Sequence, residues 1–160
     1  MTAYTTLTSI IDNENIINPE EFLRACLSRD TLPTTTIHSI QAYAIERAGN
    51  VLHIYEGYLG ANHFVRKSLY LAKDYLINPP NEELFTKTIN KTYLELRDIA
   101  RDLLQTRIAF SPREEVADAV SAVACAVYGI IDHTASIEAV AYTHSAILKQ
   151  QQRILIQYFG

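Results

Sequence analysis

Few side chains in this sequence stand at spacings that do chemistry. His53 and Glu56 lie one helical turn apart, where two ligands can reach one ion. A di-metal bundle site needs a Glu from each of two helices and a Glu-x-x-His from each of two more, and no Glu-x-x-His occurs here. His133 and His144 are 11 residues apart, so a single helix would separate them by more than about 15 Å. Cys26 and Cys125 sit in apolar, Ala-bearing stretches and read as buried free thiols; no Cys-x-x-Cys or Cys/His spacing points to zinc. There is no Gly-x-Ser-x-Gly elbow, no Gly-x-Gly-x-x-Gly and no phosphate loop. The carboxylate pairs Glu20-Glu21, Glu82-Glu83 and Glu114-Glu115 each follow a capping residue, where the helix dipole accounts for them. The expectation is no catalytic residue, no metal and no cofactor, hence a chain that is not an enzyme.

The elements that would hold these residues are helical. Asn18-Pro19-Glu20-Glu21 opens a helix reaching about residue 29, and Pro33 lies in the loop that follows. From Thr36 the apolar positions Ile37, Ile40, Ala44, Ala48, Val51, Leu52 and Tyr55 recur at three and four, which predicts one helix to about Glu56-Gly57. Gly49 inside it costs about 1 kcal/mol relative to Ala and marks a close approach by a neighbour. A helix over 61–77 stops at Asn78-Pro79-Pro80. Asn81-Glu82-Glu83 starts an amphipathic one with Leu84, Phe85, Ile89, Leu94, Leu96, Ile99, Ala100, Leu103 and Leu104. Ser111-Pro112-Arg113-Glu114 matches a capping box. The helix it opens, 112–131, is rich in Ala and Val on nearly every face and belongs in the middle of a bundle. Asp132-His133-Thr134 reads as a turn before a last helix, 135–159. Its pairs Ile147-Leu148, Ile154-Leu155 and Tyr158-Phe159 form one stripe opposite Lys149, Gln150, Gln152 and Arg153. No stretch alternates as a strand. The fold expected is all-α, a single-domain antiparallel bundle of six or seven helices over 1–160, with 1–17 a loosely packed N-terminal segment.

Composition bounds the function. The chain has 160 residues, 48% hydrophobic and 20% charged, with a net charge of −4. That is enough chain for a core without metal or disulfide, and the balance is wrong for a general nucleic-acid binder. The first residues lack a basic n-region and an apolar h-region, and the longest apolar run, 119–131, is 13 residues, below the ~20 a bilayer crossing needs. A cytoplasmic protein with no membrane contact is expected. Residues 66–113 hold 9 Lys/Arg and 6 Asp/Glu, while the remainder holds 5 and 12, so acidic and basic flanks differ. Tyr accounts for 10 residues; most suit half-buried seams, and Tyr70 and Tyr93, beside charged positions, are expected at the surface.

Three stretches carry a resemblance. They are 40–56 (IQAYAIERAGNVLHIYE), 64–76 (FVRKSLYLAKDYL) and the Ala-dense 116–142 with His133 at its turn. Together with the Gln-rich apolar C-terminal end they resemble a family of small Ala-rich all-helical immunity proteins of bacterial polymorphic toxin systems. The second stretch has Tyr75 where the family often has Trp, and lacks its Pro. The resemblance implies a non-enzymatic protein that occludes a cognate toxin, and it brings no catalytic residues. The residues themselves leave two alternatives: a structural homo-oligomer associating through the C-terminal stripe, and a helical small-ligand binder or enzyme with a pocket holding two or more of His53, Glu56, His133 and His144.

Overall fold

The computed structural model describes residues 18–27, 34–59, 63–105 and 113–159. They form seven α-helices and no strand: α1 (Pro19–Leu27), α2 (Thr34–Asn50), α3 (Leu52–Leu59), α4 (His63–Ile77), α5 (Glu82–Gln105), α6 (Arg113–Tyr128) and α7 (His133–Phe159). The all-helical bundle expected from the apolar spacing is what the chain adopts. The capping box at Ser111-Pro112, the loop around Pro33 and the segment 1–17 lie outside the described residues.

α6 is the axis. Val116, Ala117, Ala119, Val120 and every residue from Ala122 to Val127 are buried. It packs most extensively on α7 and α5, and α3, α2 and α4 also lie against it. Ala lets helix backbones approach closely, and a helix greasy on all sides has no face to give to water. α5 is amphipathic as expected, but its inner face is Ile89, Thr92, Leu96, Ala100 and Leu103, while Leu84, Leu94 and Leu104 are exposed. Tyr93, expected at the surface, is half-buried because its ring lies 4.7 Å from that of Tyr128 on α6. Tyr75 of α4 stacks on Phe85 of α5 at 5.7 Å.

Helix ends follow their caps. The Asn18 and Asn81 side-chain oxygens accept from the backbone N–H of Glu21 (3.1 Å) and Leu84 (2.9 Å). Two boundaries differ from expectation. The helix from Thr36 is not continuous through Tyr55. After Gly49-Asn50 the chain tightens, Val51 N–H donating to the Ala48 carbonyl, and a separate helix, α3, starts at Leu52 with Val51, Leu52 and Tyr55 buried. Gly and Asn are poor helix residues, and α3 lies against α6. The second difference is at 128–133. α6 ends at Tyr128 rather than 131, and α7 starts at His133, because Asp132 is a cap. Its Oδ1 accepts from Thr134 N–H (3.1 Å) and Oγ (2.7 Å).

Between those helices Gly129 is packed so closely that a Cβ there would stand 2.2 Å from Ser136 Oγ and 3.1 Å from the Cys125 carbonyl. Its own carbonyl accepts from Gln41 Nε2 of α2 at 2.9 Å. Gly49 is different: a Cβ would meet Leu69 at an ordinary 3.5 Å, so the close approach read from sequence is not there. In urea denaturation Gly129→Ala is expected to lose about 2 kcal/mol, whereas Gly49→Ala is expected to be neutral or stabilising by up to about 1 kcal/mol. The Thr134 hydrogen bonds hold the Asp132 carboxyl below its ordinary range. A depressed carboxylate stabilises above its unfolded value and loses that contribution as pH falls through the folded one. Asp132→Ala is therefore expected to cost about 1 kcal/mol at pH 7, and the difference from wild type in thermal melts should shrink below about pH 4.

Candidate docking surface

The residues singled out for chemistry are not brought together. His53 is exposed on α3, His133 is half-buried at the first position of α7, and His144 is exposed further along α7. Glu56 is engaged elsewhere: both its carboxylate oxygens accept from Arg66 of α4, Nε at 3.0 Å and a terminal nitrogen closer still. Among the described residues no group of three or more His, Cys, Asp or Glu is placed to hold a metal ion. Both cysteines are free. Cys125 is buried as expected, and burial, with Glu138 adding to it, pushes its thiol up to about 12. Cys26 is half-buried rather than buried.

What the surface does offer is an open groove of about 550 Å³ along α4, lined by Lys67, Tyr70, Leu71, Lys73, Asp74 and Ile77. None of His53, Glu56, His133 and His144 lines it. α4 is built for this: Val65, Ser68, Leu69 and Ala72 face the body, so the residues between them face out. Tyr70 and Ile77 are 56% and 68% exposed. The Tyr70 ring is not loose. Its hydroxyl accepts from Arg66 at 3.1 Å, and the same Arg66 holds Glu56 on α3. Ser68 Oγ donates to the Phe64 carbonyl within α4 (2.8 Å). The groove is a braced helical surface with Lys67, Lys73 and Asp74 set among apolar side chains.

α7 has its own asymmetry. Lys149 reaches Asp118 (2.9 Å) on α6, Arg153 pairs with Glu115, and Ser145 Oγ donates to Asp118 (2.7 Å). In the C-terminal half of α7 these polar side chains thus turn to α6 while Ile147, Leu148, Ile154 and Leu155 are exposed; the N-terminal half buries Ala135, Ile137, Ala139 and Val140. Glu115 is 2% exposed, so its pairing with Arg153 goes beyond the dipole role that its position after a cap implied. Nothing in the sequence distinguished Glu115 from Glu114 and Asp118 beside it, because its pairing is made with a distant helix. No helix among the described residues is long and apolar enough to cross a membrane.

Comparison with protein-family models, curated proteins and solved structures finds no match to this chain.

Removing Arg153 strands a buried carboxylate. Arg153→Met is expected to cost about 2 kcal/mol in chemical denaturation, less than a fully buried pair because water reaches the Arg153 side. Changing Glu115 as well, to Gln, is expected to recover part of that loss, a coupling that a double-mutant cycle reads directly.

Proposed function

We propose that this chain is a non-enzymatic protein-binding domain that acts by steric occlusion, with α4 as the surface that meets its partner. The observation that supports this reading is the groove in which Tyr70 and Ile77 stand exposed beside Lys67, Lys73 and Asp74. Aromatic anchors held in place before binding lose little freedom on docking, and Arg66 supplies that restraint for Tyr70. The matching partner feature is an amphipathic segment whose apolar side chains lie along Tyr70, Leu71 and Ile77 and whose carboxylates meet the two lysines. The +3 balance of residues 66–113 favours such an acidic partner over the basic one that the −7 remainder would attract.

A stable interface takes about 800 Å² from each partner, more than the groove alone, so the body around α4 would cover part of the partner's working surface. That is the means of occlusion. The resemblance to immunity proteins makes a toxin the proposed partner.

The test is a pull-down from the native host with two baits, wild type and Tyr70→Ala/Ile77→Ala. Both substitutions are at exposed positions and should leave the circular dichroism spectrum unchanged. The expected result is a protein retained by wild type and lost, or weakened at least about tenfold, with the variant. Recovery of a toxin in that difference supports the occlusion reading. The same proteins retained equally by both baits would remove α4 as the docking surface.

A further inference from the structure

The apolar face of α7 runs past the edge of the body. Ile137 and Val140 hold that face in the core. At helical steps along the same line stand His144, Ile147, Leu148, Gln151, Ile154, Leu155 and Tyr158, and these are exposed. The five large apolar side chains among them, Ile147, Leu148, Ile154, Leu155 and Tyr158, are between 38% and 74% exposed. For 154–158 the reason is length and register; Ile147, Leu148 and Gln151 lie alongside α6 but point away from it. α6 has 16 residues and α7 has 27, about 24 Å against about 40 Å. The pairing of Arg153 with Glu115 places residue 153 beside the first turn of α6.

The exposed line has a further property: it reads the same in both directions from Gln151. Leu148 and Ile147 stand three and four residues before it, Ile154 and Leu155 three and four after it, and His144 and Tyr158 seven to either side. Lys149 and Arg153 fall two to either side, and both turn to carboxylates of α6. The ±3, ±4 and ±7 spacing is that of any helix face, and an isologous contact between antiparallel helices asks only that each residue and the one it meets across the axis be complementary; here apolar positions meet apolar positions.

We propose that this face is covered by a second copy of the chain, the two α7 helices lying antiparallel with the two-fold axis at Gln151. Ile147 of each copy then lies opposite Leu155 of the other, Leu148 opposite Ile154, and the Gln151 amide, which both donates and accepts, meets its counterpart at the centre. A polar residue at the middle of an apolar seam fixes register and orientation. Charge does not oppose the approach. No Asp or Glu occurs after Glu138, and the two cations nearest the axis are already committed within their own copy. The five side chains expose on the order of 500 Å² per copy, so the pair would bury about 1,000 Å², the lower bound of a specific interface. The dimer should come apart on dilution. Ile156 is exposed but lies off this line, on the far side from Gln151's face, and the pairing leaves it uncovered.

The experiment is sedimentation of the purified full chain from about 1 µM to about 200 µM. The mass is expected to rise from 18.1 kDa towards twice that value. Leu155→Glu should shift the dissociation constant upward at least tenfold with an unchanged far-ultraviolet spectrum, while Ile156→Glu should dimerise like wild type. In a Cys26→Ser background, Gln151→Cys should form a disulfide-linked dimer on mild oxidation much faster than Gln152→Cys. A wild type that stays monomeric throughout, equal effects of the Leu155 and Ile156 substitutions, or equal cross-linking at 151 and 152 would each overturn the proposal. So would a heterologous protein whose binding Leu155→Glu abolishes, because the face would then have another occupant. The α4 reading has separate variants and a separate readout, so either can fail alone.

Discussion

The packing of small side chains along α6 is the constraint on which the rest of the structure depends. Its buried faces are almost entirely Ala and Val, and five other helices lie against it. With so little side-chain bulk on the central element, the surrounding helices supply the volume that fills the core: Tyr43, Tyr55, Ile40, Leu23, Ile89, Leu96 and Ile137 are its largest fully buried members. A large residue on α6 would push several helices outward at once, and interiors packed like organic crystals absorb such changes poorly. At the end of α6 the turn into α7 is equally tight: Ser136 and the Cys125 carbonyl leave Gly129 no room even for a methyl group.

That architecture was largely legible from the amino-acid order, because helix signals are local. Asn18 and Asn81 are caps in the sequence and caps in space. The Ala-Val run of 116–127 could not be a surface helix, and it is not one. What failed was also local in origin. Val51 continues an apolar period that reads smoothly through a helix, yet Gly49-Asn50 break it, and the gain from seating α3 on α6 is a tertiary effect that no window of sequence contains. Asp132-His133-Thr134 looked like a turn because a cap and a turn use the same residues for the same hydrogen bonds.

The surface was less legible, for a different reason. Periodicity says that one side of a helix is apolar; it does not say whether anything covers that side. In the C-terminal half of α7 the ordinary arrangement is inverted, with Lys149 and Arg153 turned inward to α6 and Ile147, Leu148, Ile154 and Leu155 exposed. Counting charges could not reveal this, since the partner carboxylates, Asp118 and Glu115, are 31 and 38 residues away in sequence. The same holds for Glu56 and Arg66, whose pairing took Glu56 out of the metal geometry that His53 invited. It made Arg66 the brace for Tyr70 instead.

The position of α6 in the chain has a consequence for biosynthesis. α1 to α5 leave the ribosome before the helix they must surround has been made. At about 5–20 residues per second the interval between completing Asn50 and completing Tyr128 is on the order of ten seconds. Throughout it the sides of α2 and α3 that will rest on α6 have no permanent seat, although α2 can already pack on α4. Final packing of these faces therefore waits for the late-arriving hub.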